Sequence, residues 1–390
     1  MSRRVASVDT FIVTVPRDTP YLGPLAPGEF VNARGYVVRR GNGTIYPTKD
    51  RSIVVRVAAD DGLIGWGETY GICAPRATCE IINDLLSPIV IGADPEDVEE
   101  IWDQLYGIMR VRGCIGGFHV DAITAIDIAL WDLRGQATGR PLRDLIGTTV
   151  HPRLPGYVSG LPAATLRERV ALAVAMYGEG HRSFKIATVV SHEGIVEEVA
   201  QLRRALGDEA ELLVDLHWKF SADEALAVAQ ALAPYRPGFI EAPVKPEDLA
   251  GLSRVGRESV VPVAAGEEWY TAYEVANRLA AGPLAYIQPE MGHTGITQFR
   301  RIAALASAHG ARIAPHATIG AGIFLGASLQ VSATLPSLWK HEWQHSIFAR
   351  SMALLEGAIG YNDNGYVLPK GAGLGVAPGA AFWKYAEKIE

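Results

Sequence analysis

The sequence predicts an α/β chain in two parts: a compact N-terminal α+β domain, then a closed barrel of eight short strands alternating with helices. Three observations carry that expectation. Six polar residues, Asp215, Glu241, Glu267, Glu290, His316 and Glu342, recur at intervals of 26, 26, 23, 26 and 26 residues, each in or just after a short apolar run. A strand, a loop, a helix and a return loop fill about this length, since a βαβ unit takes roughly 30 residues. From about residue 154 short apolar runs alternate with helical patterns, whereas the first third groups its strands ahead of its helices. Strands followed by helices suit a separate α+β layer, and strict alternation suits a parallel barrel.

Val5–Val15 alternates as a strand, and Ser52–Ala59 and Leu63–Thr69 flank the turn Asp60-Asp61-Gly62, which predicts a hairpin. Asp94-Pro95 reads as a helix N-cap and first-turn pair, with Glu96, Asp97, Glu99 and Glu100 near the positive helix end. Barrel strands are predicted at Gly156–Ser159, Ser183–Ala187, Glu211–Leu216, Gly238–Ala242, Val261–Ala265, Ala285–Gln288, Arg312–Ala314 and Ser337–Lys340. Helices fall between them, for example over Asp223–Ala233 and Gly295–Ala308. The expected division is 1–128 for the first domain, 129–365 for the barrel and 366–390 for a segment that packs back toward the first domain.

Bulk properties exclude several classes. The 390 residues are 48% hydrophobic and 20% charged, as in an ordinary globular protein, and a formal charge of −7 argues against a nucleic-acid partner. The start, MSRRVASVDTF, has no apolar core of a signal peptide, and no run reaches the ~20 apolar residues of a membrane span. Cys73, Cys79 and Cys114 are odd in number and lack metal-site spacing. A cytoplasmic protein is the economical expectation.

Asp215, Glu241 and Glu267 lie in LLVDLHW, GFIEAP and VAAGEEW, each where a strand leaves the core. One such carboxylate is ordinarily a solvated strand end, but three on successive units would converge and repel unless a cation neutralised them. Oxygen-only ligands suit a hard ion such as Mg²⁺. Glu290 precedes His316 by one unit, so adjacent strands would let it bond one ring nitrogen and make the imidazole a general base. His217, two positions after Asp215, would face the same way along a strand and serve as a second acid or base. Lys185 could place positive charge beside an oxyanion, and Glu342 could accept a hydrogen bond from substrate or act electrostatically. Such a set suits proton removal from carbon beside a carboxylate, with the cation stabilising the enediolate.

At this point the chain resembles the enolase superfamily, and within it the mandelate racemase-like group. The segment Ala122–Gly147 is similar to the signature at the group's domain junction, although Thr124 stands where a smaller residue is usual. The series Asp215, Glu241, Glu267 matches the metal ligands, and His316 the seventh-strand histidine. The resemblance implies a (β/α)7β TIM-like barrel with an N-terminal α+β capping domain that closes over it, Mg²⁺ as cofactor, and a homo-oligomer, dimer or octamer.

Two departures bear on the reaction. Many members carry Lys-x-Lys on the second strand, where this chain has Lys185-Ile186-Ala187, and the histidine's usual aspartate partner is here Glu290. A two-base racemase needs a base on each face of the carbon, and Ala187 cannot be one. Asp215-x-His217 instead resembles the sugar-acid dehydratases of the group: His316 takes the C2 proton and His217 protonates the departing C3 hydroxyl. A racemase, epimerase or cycloisomerase is the enzymatic alternative, and a non-catalytic sugar-acid-binding or structural homologue the other. Trp218, Trp269 and Trp343 are candidates for a pocket wall. Arg34, Arg39, Lys49, Arg112 and His119 are candidates for contacts to the far end of a substrate. Gly320-Ala321-Gly322 is expected to form a tight turn into a helix rather than a dinucleotide site.

Overall fold

A computed structural model describes residues 3–17, 25–41, 43–188, 191, 194–317 and 320–390. The N-terminal domain is built on an antiparallel sheet of β1 (Val5–Pro16), β2 (Lys49–Ala59) and β3 (Ile64–Tyr70), with the C-terminal strand Ala386–Ile389 on the free edge of β1. The chain end therefore does return to the first domain, with Thr10 opposite Ile389. The predicted hairpin forms: Gly62 has φ 85, and Asp61 accepts a hydrogen bond from the Leu63 amide at 3.2 Å.

A 21-residue helix, Phe118–Thr138, covers this sheet and is buried almost all round. A helix buried on every face lies between layers, and this one packs on β3 and on the barrel helix Met291–Ala308. It runs unbroken through residue 128. Its close approach to β3 depends on two glycines. A Cβ on Gly65 would stand 2.0 Å from the Ala129 carbonyl oxygen, and one on Gly67 1.9 Å from that of Ala125. Gly67→Ala must push the helix off the sheet, and the expected cost is about 1–3 kcal/mol, the usual range for overpacking. Thermal unfolding checks this; an unchanged midpoint would mean that the two layers yield freely. Polar groups on the helix reach the barrel too: the Thr124 hydroxyl donates to the His293 carbonyl at 2.7 Å, which gives the unusual threonine a role in docking the domains.

The helix expected from Asp94 begins later, at Val98, with Asp97 in the cap position and no side-chain cap bond. Asp94 instead closes a turn, accepting the Glu96 amide at 3.0 Å, so its oxygen is used one turn upstream of the helix.

The barrel runs through β4 (Arg153–Ser159), β5 (Ser183–Ala187), β6 (Glu211–Asp215), β7 (Ile240–Glu241), β8 (Val263–Ala265), β9 (Tyr286–Ile287) and β10 (Arg312–Ile313), each parallel to the next. β11 (His341–Trp343) returns parallel to β4 with Glu342 opposite Tyr157, and the ring closes through a bridge between Ile313 and Leu338. The eighth strand thus lies after the predicted Ser337–Lys340. Just before it, the Lys340 ammonium turns to the Ser183 hydroxyl and to Glu211, at the starts of β5 and β6. The expected helix over Gly295–Ala308 extends back to Met291, interrupted by Gly295 at φ 63.

Candidate active site

Five residues of the spaced series lie at or just beyond the C-terminal end of a strand, and the sixth, Glu342, lies inside one. Asp215 ends β6, Glu241 ends β7 beside it in register, and Glu267 follows β8 by two residues. Gly266, at φ +128, turns the chain between Ala265 and Glu267. Glu290 and His316 form a parallel bridge beyond β9 and β10, and Glu342 lies within β11. In β6 the run Leu212-Leu213-Val214 is buried up to Asp215, and in β7 buried Ile240 precedes Glu241.

His316 stands between two carboxylates. Its Nδ1 lies 2.7 Å from Glu290 Oε2 and its Nε2 3.1 Å from Glu267 Oε2. Burial pulls the imidazole's pKa down, but Glu267, Glu342 and Glu290 outweigh it and hold His316 well above the ordinary histidine range. The predicted pairing with Glu290 is present, with the longer side chain reaching the ring without strain in the distance.

His217 is near Asp215, as expected, but not for the expected reason. The strand stops at Asp215, and His217 and Trp218 take left-handed backbone with φ 50 and 54. The turn folds the ring back, so that Nε2 lies 3.1 Å from Asp215 Oδ2 while the His217 amide donates to Oδ1 at 2.8 Å. Ala242, just past Glu241, is also left-handed at φ 45. Non-glycine residues in this region cost energy and gather at functional sites. Burial pushes the His217 pKa down to about 4, so the ring rests neutral.

Lys185 and Glu342 are more enclosed than expected. The Lys185 ammonium lies 3.0 Å from both Glu241 Oε1 and Glu342 Oε1, with Tyr157 beneath it. Burial opposes its charge, but Glu241 and Glu342 hold its pKa well above the lysine range. Glu342 is wholly buried; against that burial, Lys185 and His316 bring its carboxyl down to about 2. The pair therefore acts through its field on the neighbouring groups, and Glu342 presents no open surface for a substrate hydrogen bond.

Among the described residues no trio of His, Cys, Asp or Glu side chains already surrounds one point as a metal site would. The carboxylates face their neighbours instead. The donor set nevertheless fits a hard cation. Burial raises Asp215 to about 6, raises Glu241, and raises Glu267 well above its usual range. Glu241 Oε2 is buried with no hydrogen-bond partner. Five carboxyl groups here face one lysine and two imidazoles, and a divalent ion would stabilise the ionised form that burial disfavours.

The other candidates separate clearly. Trp269 is buried, bonds Glu268 through Nε1 and lies under Arg278; Trp343 stacks on Tyr361 at 3.9 Å. Both are packing residues, and only Trp218 lies against a site residue, His217. His119 is in the core beside the Leu105 carbonyl, and Arg39 is paired with Glu29. Arg34 and Arg112 are exposed, as is Lys49, which lines a cleft between the domains with Arg51, Ile72, Gly320 and Ile347. Gly320 and Gly322, at φ 56 and 107, do turn the chain into the helix Ile323–Ser332. The acidic group at that helix start is Glu68 of β3, which accepts the amides of Ala321, Ile323 and Phe324 while burial pushes its pKa up to about 7. Neither Glu68 nor the adjacent Tyr70 was marked by the sequence. A lone acid in an apolar strand was the available signal for the first.

The C-terminal enolase-like domain profile matches residues 168–381, and the N-terminal domain profile of mandelate racemase and muconate lactonizing enzyme matches residues 43–147. The chain belongs to the enolase superfamily. Within the mandelate racemase/muconate lactonizing enzyme family it is 30% identical to D-galactarolactone cycloisomerase of Agrobacterium fabrum, over 83% of this chain and 88% of that one. It is 34% identical to D-galactonate dehydratase of Verminephrobacter eiseniae, over 71% and 74% of the two chains. A superfamily member from Agrobacterium tumefaciens superposes with a TM-score of 0.96 at 49% identity, covering both chains fully. A racemase from Streptomyces coelicolor A3(2), solved with bound magnesium, gives 0.82 at 28% identity over 98% of each chain. The barrel and its capping domain are thus those of this superfamily, and no described helix is long and apolar enough to cross a membrane.

Proposed function

We propose that this chain is a Mg²⁺-dependent dehydratase of a sugar acid, removing the proton beside the carboxylate and expelling the C3 hydroxyl. One observation carries the reading: the two imidazoles flank the row of carboxylates, His217 against Asp215 at one end and His316 against Glu267 at the other. Ala187, in register with Asp215, offers only a methyl group where a second base would be needed for racemisation. Asp215, Glu241 and Glu267 would hold the ion, which when bound supplies the positive charge that offsets an enediolate. The dehydratase and cycloisomerase relatives support chemistry that starts by taking a proton beside a carboxylate.

In this reading His316 Nε2 accepts the C2 proton while Glu290 holds Nδ1. The electron pair left on C2 forms the enediolate, which collapses with loss of the C3 oxygen. His217 gives that oxygen a proton, so water leaves and the enol becomes a 2-keto-3-deoxy acid. His217 rests neutral, and an anionic substrate beside it raises its affinity for the proton it must carry. His217→Asn is expected to lower keto-acid formation about 10²–10⁴-fold, the usual contribution of a positioned acid. Exchange of the C2 proton in D₂O should persist in that variant. Equal loss of both would make His217 part of the first step.

The low proton affinity of His217 also favours a second reading, ring opening of a lactone. There the oxygen on C3, the carbon next to the one that lost its proton, departs as part of a carboxylate and needs no acid. Offering Mg²⁺ with aldonates on one hand and aldarolactones on the other, and reading keto acid with semicarbazide, separates the two. Turnover of lactones alone, unaffected by His217→Asn, would select the cycloisomerase.

A further inference from the structure

We infer that Tyr70, on the last residue of capping strand β3, is a positioning residue for the His316–Glu290 pair. The inference rests on the reading of His316 as the base. The Tyr70 hydroxyl donates to Glu290 Oε2 at 3.0 Å, the same oxygen that His316 Nδ1 meets at 2.7 Å. The other carboxylate oxygen, Oε1, accepts the Gly292 amide at 2.9 Å. The carboxylate plane is thereby fixed from both sides, and the oxygen facing His316 is held by a group from the other domain.

The seat of Tyr70 is built to aim that hydroxyl. Its ring stacks on His293 at 4.1 Å with an interplanar angle of 7°, and His293 Nδ1 is held by Asp121 at 2.7 Å. Phe324 lies on the ring as well, at 5.9 Å. Gly292 admits the ring: a Cβ there would come within 2.8 Å of it. The Thr69 hydroxyl donates to the Gly292 carbonyl at 2.7 Å and fixes the same segment.

The need for this brace follows from the glutamate. Glu290 has one more rotatable bond than an aspartate, and each free torsion costs entropy when the side chain is held in one geometry. A carboxylate that drifts also lets the imidazole turn, and the ring nitrogen that faces the reacting carbon is set by the bond at the other nitrogen. Tyr70 therefore supplies from the capping domain the constraint that a shorter acid would carry alone. The base is complete only when the two domains are docked.

Tyr70→Phe keeps the ring and its stacking and removes only the hydroxyl. In full-length protein with Mg²⁺ and ¹⁵N-labelled histidine, the His316 Nδ1–H proton is identified by its disappearance in His316→Asn. That resonance is expected to move in Tyr70→Phe by more than its linewidth, with the thermal midpoint nearly unchanged. With D-galactonate as the probe, kcat should fall about tenfold, the scale of one hydrogen bond to a charged group, and KM should hold. In a Glu290→Gln background the same substitution should have less than about a twofold effect, since the bonded charge is gone. An unmoved resonance, or an equal loss of kcat in both backgrounds, overturns the proposal. If wild-type protein turns over no aldonate, the proposed reaction fails, and the resonance still decides the role of Tyr70.

Discussion

His316→Asn is expected to reduce turnover of a sugar acid by at least about 10²–10⁴-fold while leaving Mg²⁺ affinity largely intact. The asymmetry follows from where the residue stands. Its Nε2 touches Glu267 at 3.1 Å, but the oxygens that would hold the ion belong to Asp215, Glu241 and Glu267 on three neighbouring units. Asparagine keeps a polar group near Glu267 and cannot accept a proton at neutral pH. Exchange of the C2 proton in D₂O should vanish together with product, because both need the same first step. Calorimetric titration with Mg²⁺ supplies the second half of the test. Wild-type exchange rates would move the base elsewhere, and loss of Mg²⁺ binding would place His316 among the metal's supports.

Glu198→Ala should destabilise the protein by about 3–5 kcal/mol, the cost of leaving one partner of a buried ion pair uncompensated. Glu198 and Arg169 are both fully buried, and they meet through two parallel bonds: Nε to Oε1 at 2.8 Å and a terminal guanidinium nitrogen to Oε2 at 2.9 Å. They join the helices Leu166–Gly178 and Ile195–Leu206, which flank β5 and so support Lys185. Removing the glutamate leaves a buried guanidinium without its carboxylate, though still near the Ala163 and Ala164 carbonyls, whereas removing both charges relieves it. The double variant Arg169→Met with Glu198→Leu is therefore expected to recover most of the lost stability, since apolar replacements of buried pairs are often neutral or better. Denaturant unfolding of the single and double variants measures this. A double variant as unstable as the single one would show that shape, not charge, holds these helices together.

Much of this protein was legible because its chemistry is periodic. The polar residue that ends each barrel strand recurs with the unit that builds the barrel, so one pattern located both the fold and the rim. Ser183–Ala187 was read with its observed limits, Asp215 and Glu241 end neighbouring strands in register, and Glu290 and His316 pair across a bridge one unit apart. The eighth strand was misplaced because Ser337–Lys340 is as apolar as a strand, while the partner that selects His341–Trp343 is β4, more than 180 residues away. Asp94 looked like a helix cap because Asp-Pro is a strong local signal. Its oxygen closes an upstream turn instead.

What the sequence determined by itself was the architecture and the inventory of reactive groups, since both follow from residue type and interval along the chain. What the tertiary structure decided was how those groups face one another. The left-handed turn at His217 folds its ring onto Asp215, where strand alternation alone would have projected it into the cleft. Lys185, read as charge beside an oxyanion, and Glu342, read as a substrate contact or an electrostatic group, are drawn to each other because unlike charges inside a packed barrel attract more strongly than in water. Tyr70 reaches Glu290 across 220 residues of chain. No local pattern announces such a contact, because it exists only once the capping sheet, the long helix and the barrel have packed against one another.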